Sequence, residues 1–249
     1  MATVPSYSPS RYETPLRNRR QIAEGTMAFY FQRPAGFHFR AGQSIDLTLI
    51  DPPETDVEGN TRAFSIASPP FETEDLMIAT RMRDTAFKRV LKTMPLGTEV
   101  RIEGPSGSFT LHNNAKKPAV FLIGGIGVTP ALSILRQATH DNRPHELYLF
   151  YSNRRPEDAA FMDLLQQIAR ESPNFHFVAT MTEMAKSHQT WNRETGFISP
   201  DMLARYVSKM QGPIYYTAGP PAMVAAMRDI LVAAGVDEDD IRTEEFSGY

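Results

Sequence analysis

Three short stretches of this chain combine residue types that could do chemistry. The first is Gly124-Gly-Ile-Gly-Val-Thr-Pro130. Glycines let a backbone approach a ligand closely, and a helix start offers unpaired N–H groups and a positive dipole end, so a glycine turn opening a helix is a cradle for phosphate. The same residues would equally make a tight strand-to-helix turn in which the glycines serve packing alone. Pro130 stands where the dinucleotide fingerprint has its third glycine, and Tyr151-Ser-Asn-Arg-Arg155 offers no acid at the end of the next strand, so a plain Rossmann dehydrogenase fits poorly. The second stretch is Arg62-Ala-Phe-Ser65, where a forked guanidinium suits phosphate and a hydroxyl can serve a heteroaromatic nitrogen. In isolation it reads as a strand end with a solvated arginine. The third, Asp84-Thr-Ala-Phe-Lys88, is a second candidate anion site at a helix start.

Elements of two kinds must position these residues. Up to about Leu111 the pattern is short strands. Ile45, Leu47 and Leu49 alternate with polar residues, and similar runs occur at 27–32, 64–67, 76–82 and 100–103. One helix interrupts them, with Phe87, Val90, Leu91 and Met94 on one face. Many short strands with a single helix suggest an antiparallel barrel. Beyond Pro118 strands alternate with helices. The strands are 119–123, a continuous apolar run, then 147–151, 175–180, 214–217 and 241–246, and the helices 129–139, 159–171, 200–210 and 222–234. Repeated β-α-β units imply a parallel sheet covered on both faces, so two domains are expected, 6–113 and 114–249.

Composition narrows the function. The chain has 249 residues, and 26 Lys and Arg against 29 Asp and Glu give a net charge of −3, without the basic excess that nucleic-acid binding usually leaves. No cysteine is present, which excludes disulfides, thiolate zinc sites, cysteine-held iron–sulfur clusters and cysteine nucleophiles from this chain, and makes a reducing cytoplasm the simplest location. The six histidines are scattered, with no metal-binding spacing, so no metal site is expected. The polar N-terminus reads as no signal peptide, and the uncharged stretch from Pro118 to Leu135 is broken by glycine and proline, against membrane insertion.

In order along the chain, Arg62-x-Phe-Ser65, Gly104-Pro-Ser-Gly-Ser-Phe109, Gly125-Ile-Gly-Val-Thr-Pro130, Tyr151-Ser-Asn-Arg154, Gly219-Pro-Pro221 and Glu244-Glu-Phe-Ser-Gly-Tyr249 resemble the landmarks of the ferredoxin–NADP reductase superfamily. The resemblance implies an antiparallel Greek-key β-barrel flavin domain followed by an α/β doubly wound parallel sheet for the nicotinamide nucleotide. It implies a reductase that takes hydride from NAD(P)H onto FAD (FMN less so) and passes electrons to a separate ferredoxin, flavodoxin, oxygenase component or small-molecule acceptor. The alternatives are an electron-transfer or regulatory subunit active only inside a complex, or a dehydrogenase acting directly on a small substrate, which the barrel half opposes.

By position, the resemblance carries over Arg62 to the flavin pyrophosphate, Ala63 and Phe64 to the flavin, and Ser65 near the flavin ring nitrogen. It places Thr80 and Arg81 on a flavin-contacting strand, and Ala86, Phe87 and Lys88 at the pyrophosphate helix. Phe246 and Tyr249 should cover the flavin with Glu245 beside them. The nucleotide falls to Gly125, Gly127, Val128 and Thr129, to Ser152 and Arg154 at the adenosine end, and to Gly219, Pro220, Pro221 and Met223. Ser65, Thr129 and Glu245 stand nearest the hydride transfer. Two departures are Phe64, where the family commonly has tyrosine, and Ala218, where many members have cysteine. Thr180-Met-Thr-Glu183 stands where NADP-preferring relatives place serine and arginine, and Glu183 would repel a 2′-phosphate, which tips the choice to NADH. Arg17-Asn-Arg-Arg20 is either a docking patch for an acidic partner or a solvated face.

Overall fold

The computed structural model describes residues 10–246. Strands β1 (Arg11–Ala23), β2 (Thr26–Gln32), β3 (Ser44–Leu49), β4 (Thr61–Ser65), β5 (Asp75–Arg81) and β6 (Glu99–Ser106) form one antiparallel sheet in the order β4-β3-β6-β1-β2-β5. The edge strands β4 and β5 approach each other without pairing, so the sheet curls into a barrel with an open seam. Helix α1 (Ala86–Thr93) plugs it, sending Phe87, Val90 and Leu91 into a core with Phe29, Phe31, Leu47 and Ile102. Thr85 caps the helix by accepting from the Lys88 N–H.

Like the two-residue strand Glu194–Thr195, the longest strand, β1, has no counterpart among the expected strands. Its residues 14 and 16 alone are buried, and Pro15 interrupts it, so it carries almost no alternation. It is the corner of the barrel: residues 11–15 pair with β6, and residues 16–23 pair with β2 through two register shifts. The expected strand at 64–67 is in fact Thr61–Ser65. The change matters, because it puts Arg62 and Phe64 two apart on one face.

The second sheet is wholly parallel, in the order β10-β9-β8-β7-β11-β12. Its strands are β7 (Ala119–Gly124), β8 (Leu147–Asn153), β9 (Phe175–Met181), β10 (Glu194–Thr195), β11 (Ile214–Gly219) and β12 (Ile241–Glu245). In β7, Ala119, Phe121 and Ile123 face the core shared with α2 (Val128–His140) and α3 (Met162–Glu171). Val120 and Leu122 face the one shared with α4 (Pro200–Tyr206) and α5 (Pro221–Ala233). The apolar run is therefore a strand buried on both faces, as its composition demands. Helix α3 starts later than expected because Pro156–Asp158 form a short 3-10 turn and Phe161 adopts a left-handed φ of 61°. Helix α4 stops at Tyr206 rather than Met210.

The two sheets share one apolar contact. Ala28, Ala67, Met77 and Phe109 of the barrel side pack into the α2/α3 core. The connecting stretch is tied down by the Tyr216 hydroxyl, which accepts from the His112 backbone N–H at 2.9 Å, and by Arg242, which donates to the Thr110 carbonyl at 2.6 Å. The expected division at 113/114 falls between β6 and β7, inside this stretch. Among the described residues no helix is long and apolar enough to cross a membrane.

Candidate active site

The barrel seam opens into a cleft of about 440 Å³ that is closed on its far side by the parallel-sheet half. Strand β4 sends in Arg62, Ala63, Phe64 and Ser65; β5 sends in Thr80 and Arg81; α1 sends in Lys88. From the other half come Ile126, Glu244, Glu245 and Phe246. Phe87 lies buried beneath, 2% exposed, as a floor. The Arg62 guanidinium sits 5.2 Å from its ring and the Phe64 ring 5.9 Å from it, so one aromatic residue of α1 orients two residues of β4. Ala86 is likewise buried and reaches the site region only through its backbone N–H, which donates to Asp56 at 3.1 Å.

The cleft is cationic on its barrel wall. Arg62, Arg81, Arg83 and Lys88 line it, and burial, together with the charges of Arg83 and Arg62, pushes the Lys88 ammonium down from its ordinary range. Lys88 Nζ donates to the Arg81 carbonyl at 2.7 Å, and Arg81 pairs with Asp158 of the other half at 3.4 Å. Asp158 is 3% exposed and also accepts twice from Arg155, at 2.9 and 3.0 Å. Burial alone would raise its carboxyl, but the two arginines hold it below the usual range. Thr80 is buried beside them.

Opposite this wall, Ser65 Oγ donates to Glu244 Oε1 at 2.9 Å. The bond joins the end of β4 to β12, across the two halves. Burial drives the Glu244 carboxyl above the ordinary carboxylate range, the Ser65 bond opposes this, and Oε2 is buried with no partner among the described residues. Glu245, the acid expected from the motif, also lines the cleft and is exposed. Period two points to Glu244 as well. On a strand the same-face neighbour of Phe246 is residue 244, not 245. Phe246 is half-buried and its N–H donates to the Gly219 carbonyl at 3.0 Å, fastening it to the nucleotide-side turn. Tyr249 lies outside the described residues.

The expected nucleotide residues gather at the carboxyl ends of β7 and β11, neighbours at the point where strand order reverses from the β8 side to the β12 side. Here glycine serves close approach. A Cβ on Gly127 would lie 2.5 Å from the Ala218 carbonyl oxygen, and Gly219, at φ +153°, would carry one 3.1 Å from the Gly124 backbone. Met223 covers Gly124 from α5, whose first residue is Pro221, with Pro220 as its cap. Gly125 opens the 3-10 turn that leads into α2. Val128 and Thr129 are buried, and the Thr129 hydroxyl donates to the Ile126 carbonyl at 3.1 Å, so Ile126 is the side chain this turn presents to the cleft. Ser152 is buried at the end of β8, and Arg154 is exposed, 3.9 Å from Glu183. Lys186 holds Glu183 more tightly, at 2.7 Å, and chiefly through that hydrogen bond keeps its carboxyl below the usual range.

Similarity to known proteins agrees with this construction. Residues 121–229 match the family described as the oxidoreductase NAD-binding domain. The chain is 30% identical over 220 residues to the reductase component of propane 2-monooxygenase from Rhodococcus jostii, covering 86% of this chain and 57% of that protein. It is 28% identical over 237 residues to the phenol hydroxylase P5 protein of Acinetobacter pittii, covering 94% and 65%. The chain thus spans less than two thirds of these curated relatives. A solved ferredoxin NADP+ reductase from Neisseria gonorrhoeae with bound FAD and NADP superposes with a TM-score of 0.78 at 21% identity, over 94% of this chain and 98% of that one. The fold is thus the two-domain fold of that solved reductase, and the match to an oxidoreductase NAD-binding domain falls on the parallel-sheet half, where the motif resemblance puts the nucleotide.

Proposed function

We propose that this chain is the flavin-dependent NAD(P)H reductase unit of an electron-transfer system, holding FAD in the barrel seam and delivering electrons to a separate oxygenase component or comparable carrier. The observation that carries the reading is the meeting of Ser65 and Glu244 in a cationic cleft directly beside the glycine turns of the NAD-binding domain. The cleft's chemistry fits the cofactor: cations for phosphates, Phe64 and Phe246 for an aromatic ring, and a hydroxyl with a buried carboxyl for its polar edge. The flavin, when bound, supplies hydride acceptance from nicotinamide and one-electron release.

The chain's own residues do the rest. Arg62, Arg81 and Lys88 hold phosphate, with Asp158 positioning Arg81. Ser65 offers its hydroxyl, and Glu244, kept protonated at higher pH than an exposed glutamate, holds a proton at Oε1 or Oε2 beside it. Ile126 and Phe246 exclude water from the side where the nucleotide turns lie. The domain division is 6–113 for flavin and 114–249 for nucleotide. Glu183 with its Lys186 clamp favours a ribose diol over a 2′-phosphate, hence NADH. A cysteine-free chain suits the cytoplasm.

The curated relatives include reductase components of propane 2-monooxygenase and phenol 2-monooxygenase, which supports an oxygenase partner. The test is anaerobic titration of the FAD-reconstituted protein with NADH and with NADPH. The flavin band should bleach with NADH at far lower concentration than with NADPH; a bound flavin that neither nucleotide reduces would move the function to a complex-dependent subunit.

A further inference from the structure

The loop joining β3 to β4 places two carboxylates on the cations of the cleft. Arg62 Nη2 pairs with Glu58 Oε2 at 2.8 Å and with Asp56 Oδ1 at 3.3 Å. Its Nη1 donates to the carbonyls of Glu58, Gly59 and Thr61 at 2.8 to 3.0 Å. The second oxygen of Asp56 accepts from the Ala86 N–H in the first turn of α1. One carboxylate therefore spans both the guanidinium and the helix start, the two anion-binding groups on this side of the cleft. The loop is fastened upstream by Glu54, which takes three hydrogen bonds from Arg89 at 2.6 to 3.2 Å. Its tip is not packed: Val57 is fully exposed and the Glu58 side chain is 65% exposed.

An arginine whose two terminal nitrogens are engaged in this way cannot grip a phosphate without giving up partners. We propose that Asp56 and Glu58 are a built-in competitor for the cofactor's phosphates, holding Arg62 and the start of α1 until a phosphate displaces them. This rests on the flavin reading of the cleft. The exchange is one anion for another, so Arg62 is never left unpaired, and Glu58 returns to water at little cost because most of it is already there. Arg81, Arg83 and Lys88 also line the cleft, so phosphate meets a positive wall before the loop yields. The competitor acts on flavins that bear phosphate and not on the ring itself.

The experiment is a fluorescence titration of the flavin-free chain with FAD, FMN and riboflavin, comparing wild type, Glu58→Gln and the double variant Asp56→Asn/Glu58→Gln at matched ionic strength. The double variant should bind FAD and FMN about tenfold more tightly, one decade per roughly 1.4 kcal/mol, with riboflavin unchanged and Glu58→Gln lying between. FAD and FMN binding no tighter than in wild type, with riboflavin still bound, would overturn the competitor. Should the double variant fail to fold, Glu58→Gln alone decides by the same criterion. Absence of binding by all three flavins to every protein would instead overturn the flavin reading, and the competitor with it.

Discussion

The two walls of the cleft are made of different material. On the barrel side the working groups are side chains held by other side chains: Arg62 by Asp56 and Glu58, Arg81 by Asp158, and Lys88 by the Arg81 carbonyl. On the nucleotide side the geometry is backbone against backbone, with Gly127 on Ala218 and Gly219 on Gly124, and the Thr129 hydroxyl turned back onto its own turn. The first wall is set by charge and responds to salt, pH and substitution in graded steps. The second is set by van der Waals contact and has no room for a methyl group. The proposed flavin phosphates would meet the first construction and the proposed nucleotide the second.

The sharpest break in the comparison comes from Gly127→Ala. Its new Cβ meets a backbone carbonyl at 2.5 Å, so the β7 and β11 turns must part. A stability loss of about 3 kcal/mol is expected, at the upper end of ordinary overpacking, read by urea unfolding. Flavin reduction by NADH should be lost while flavin binding persists. Asp158→Asn acts on the other wall by removing the charge that two arginines share. Its loss should cost about 2 kcal/mol and weaken FAD binding, since Arg81 is released from its ion pair with Asp158. Retained Arg81 geometry in a crystal structure of that variant would break the positioning argument.

Glu244→Gln sharpens the account through pH. The folded carboxyl titrates above the unfolded one, so the native state holds the extra proton and stability is fully present at low pH. It declines as pH rises from the ordinary carboxylate range through the folded value. The glutamine variant lacks that ionisation, so its thermal midpoint should fall less between pH 4 and pH 8, roughly the window spanning an ordinary and a raised carboxyl. Parallel wild-type and variant curves would contradict a raised Glu244. The smallest effect belongs to Arg17→Gln, whose exposed pair with Asp75 at 3.4 Å should be worth less than about 0.5 kcal/mol by thermal melts. Of the neighbouring basic residues, Arg19 reaches the Met94 carbonyl and Arg20 lies over the Tyr30 ring.

The parts legible in the sequence were those written in a single period or in glycine. The apolar run of β7, the face of α1 and the turn at Gly124–Pro130 each declare themselves locally, and they located both halves of the cleft. What escaped was set by distant partners. Strand β1 buries only two residues because it turns a corner, so no alternation marks it. Asp56 and Glu58 read as an ordinary acidic turn until the fold brings Arg62 and α1 beneath them. Phe87 and Ala86 sit at the expected helix, yet below the cleft rather than in it. Glu244 and Glu245 are indistinguishable in composition, and only the strand's parity, fixed by pairing Ala218 with Glu244, turns the first inward.

One polar contact, Ser65 to Glu244, joins the two halves at the proposed reacting edge of the site. A double-mutant cycle on the rate of anaerobic flavin reduction by NADH tests it, using Ser65→Ala, Glu244→Gln and the pair. Strong non-additivity is expected, with the double variant little slower than the worse single one. Two losses that simply multiply would show that Ser65 and Glu244 act independently, and the contact between them would then have no part in the chemistry.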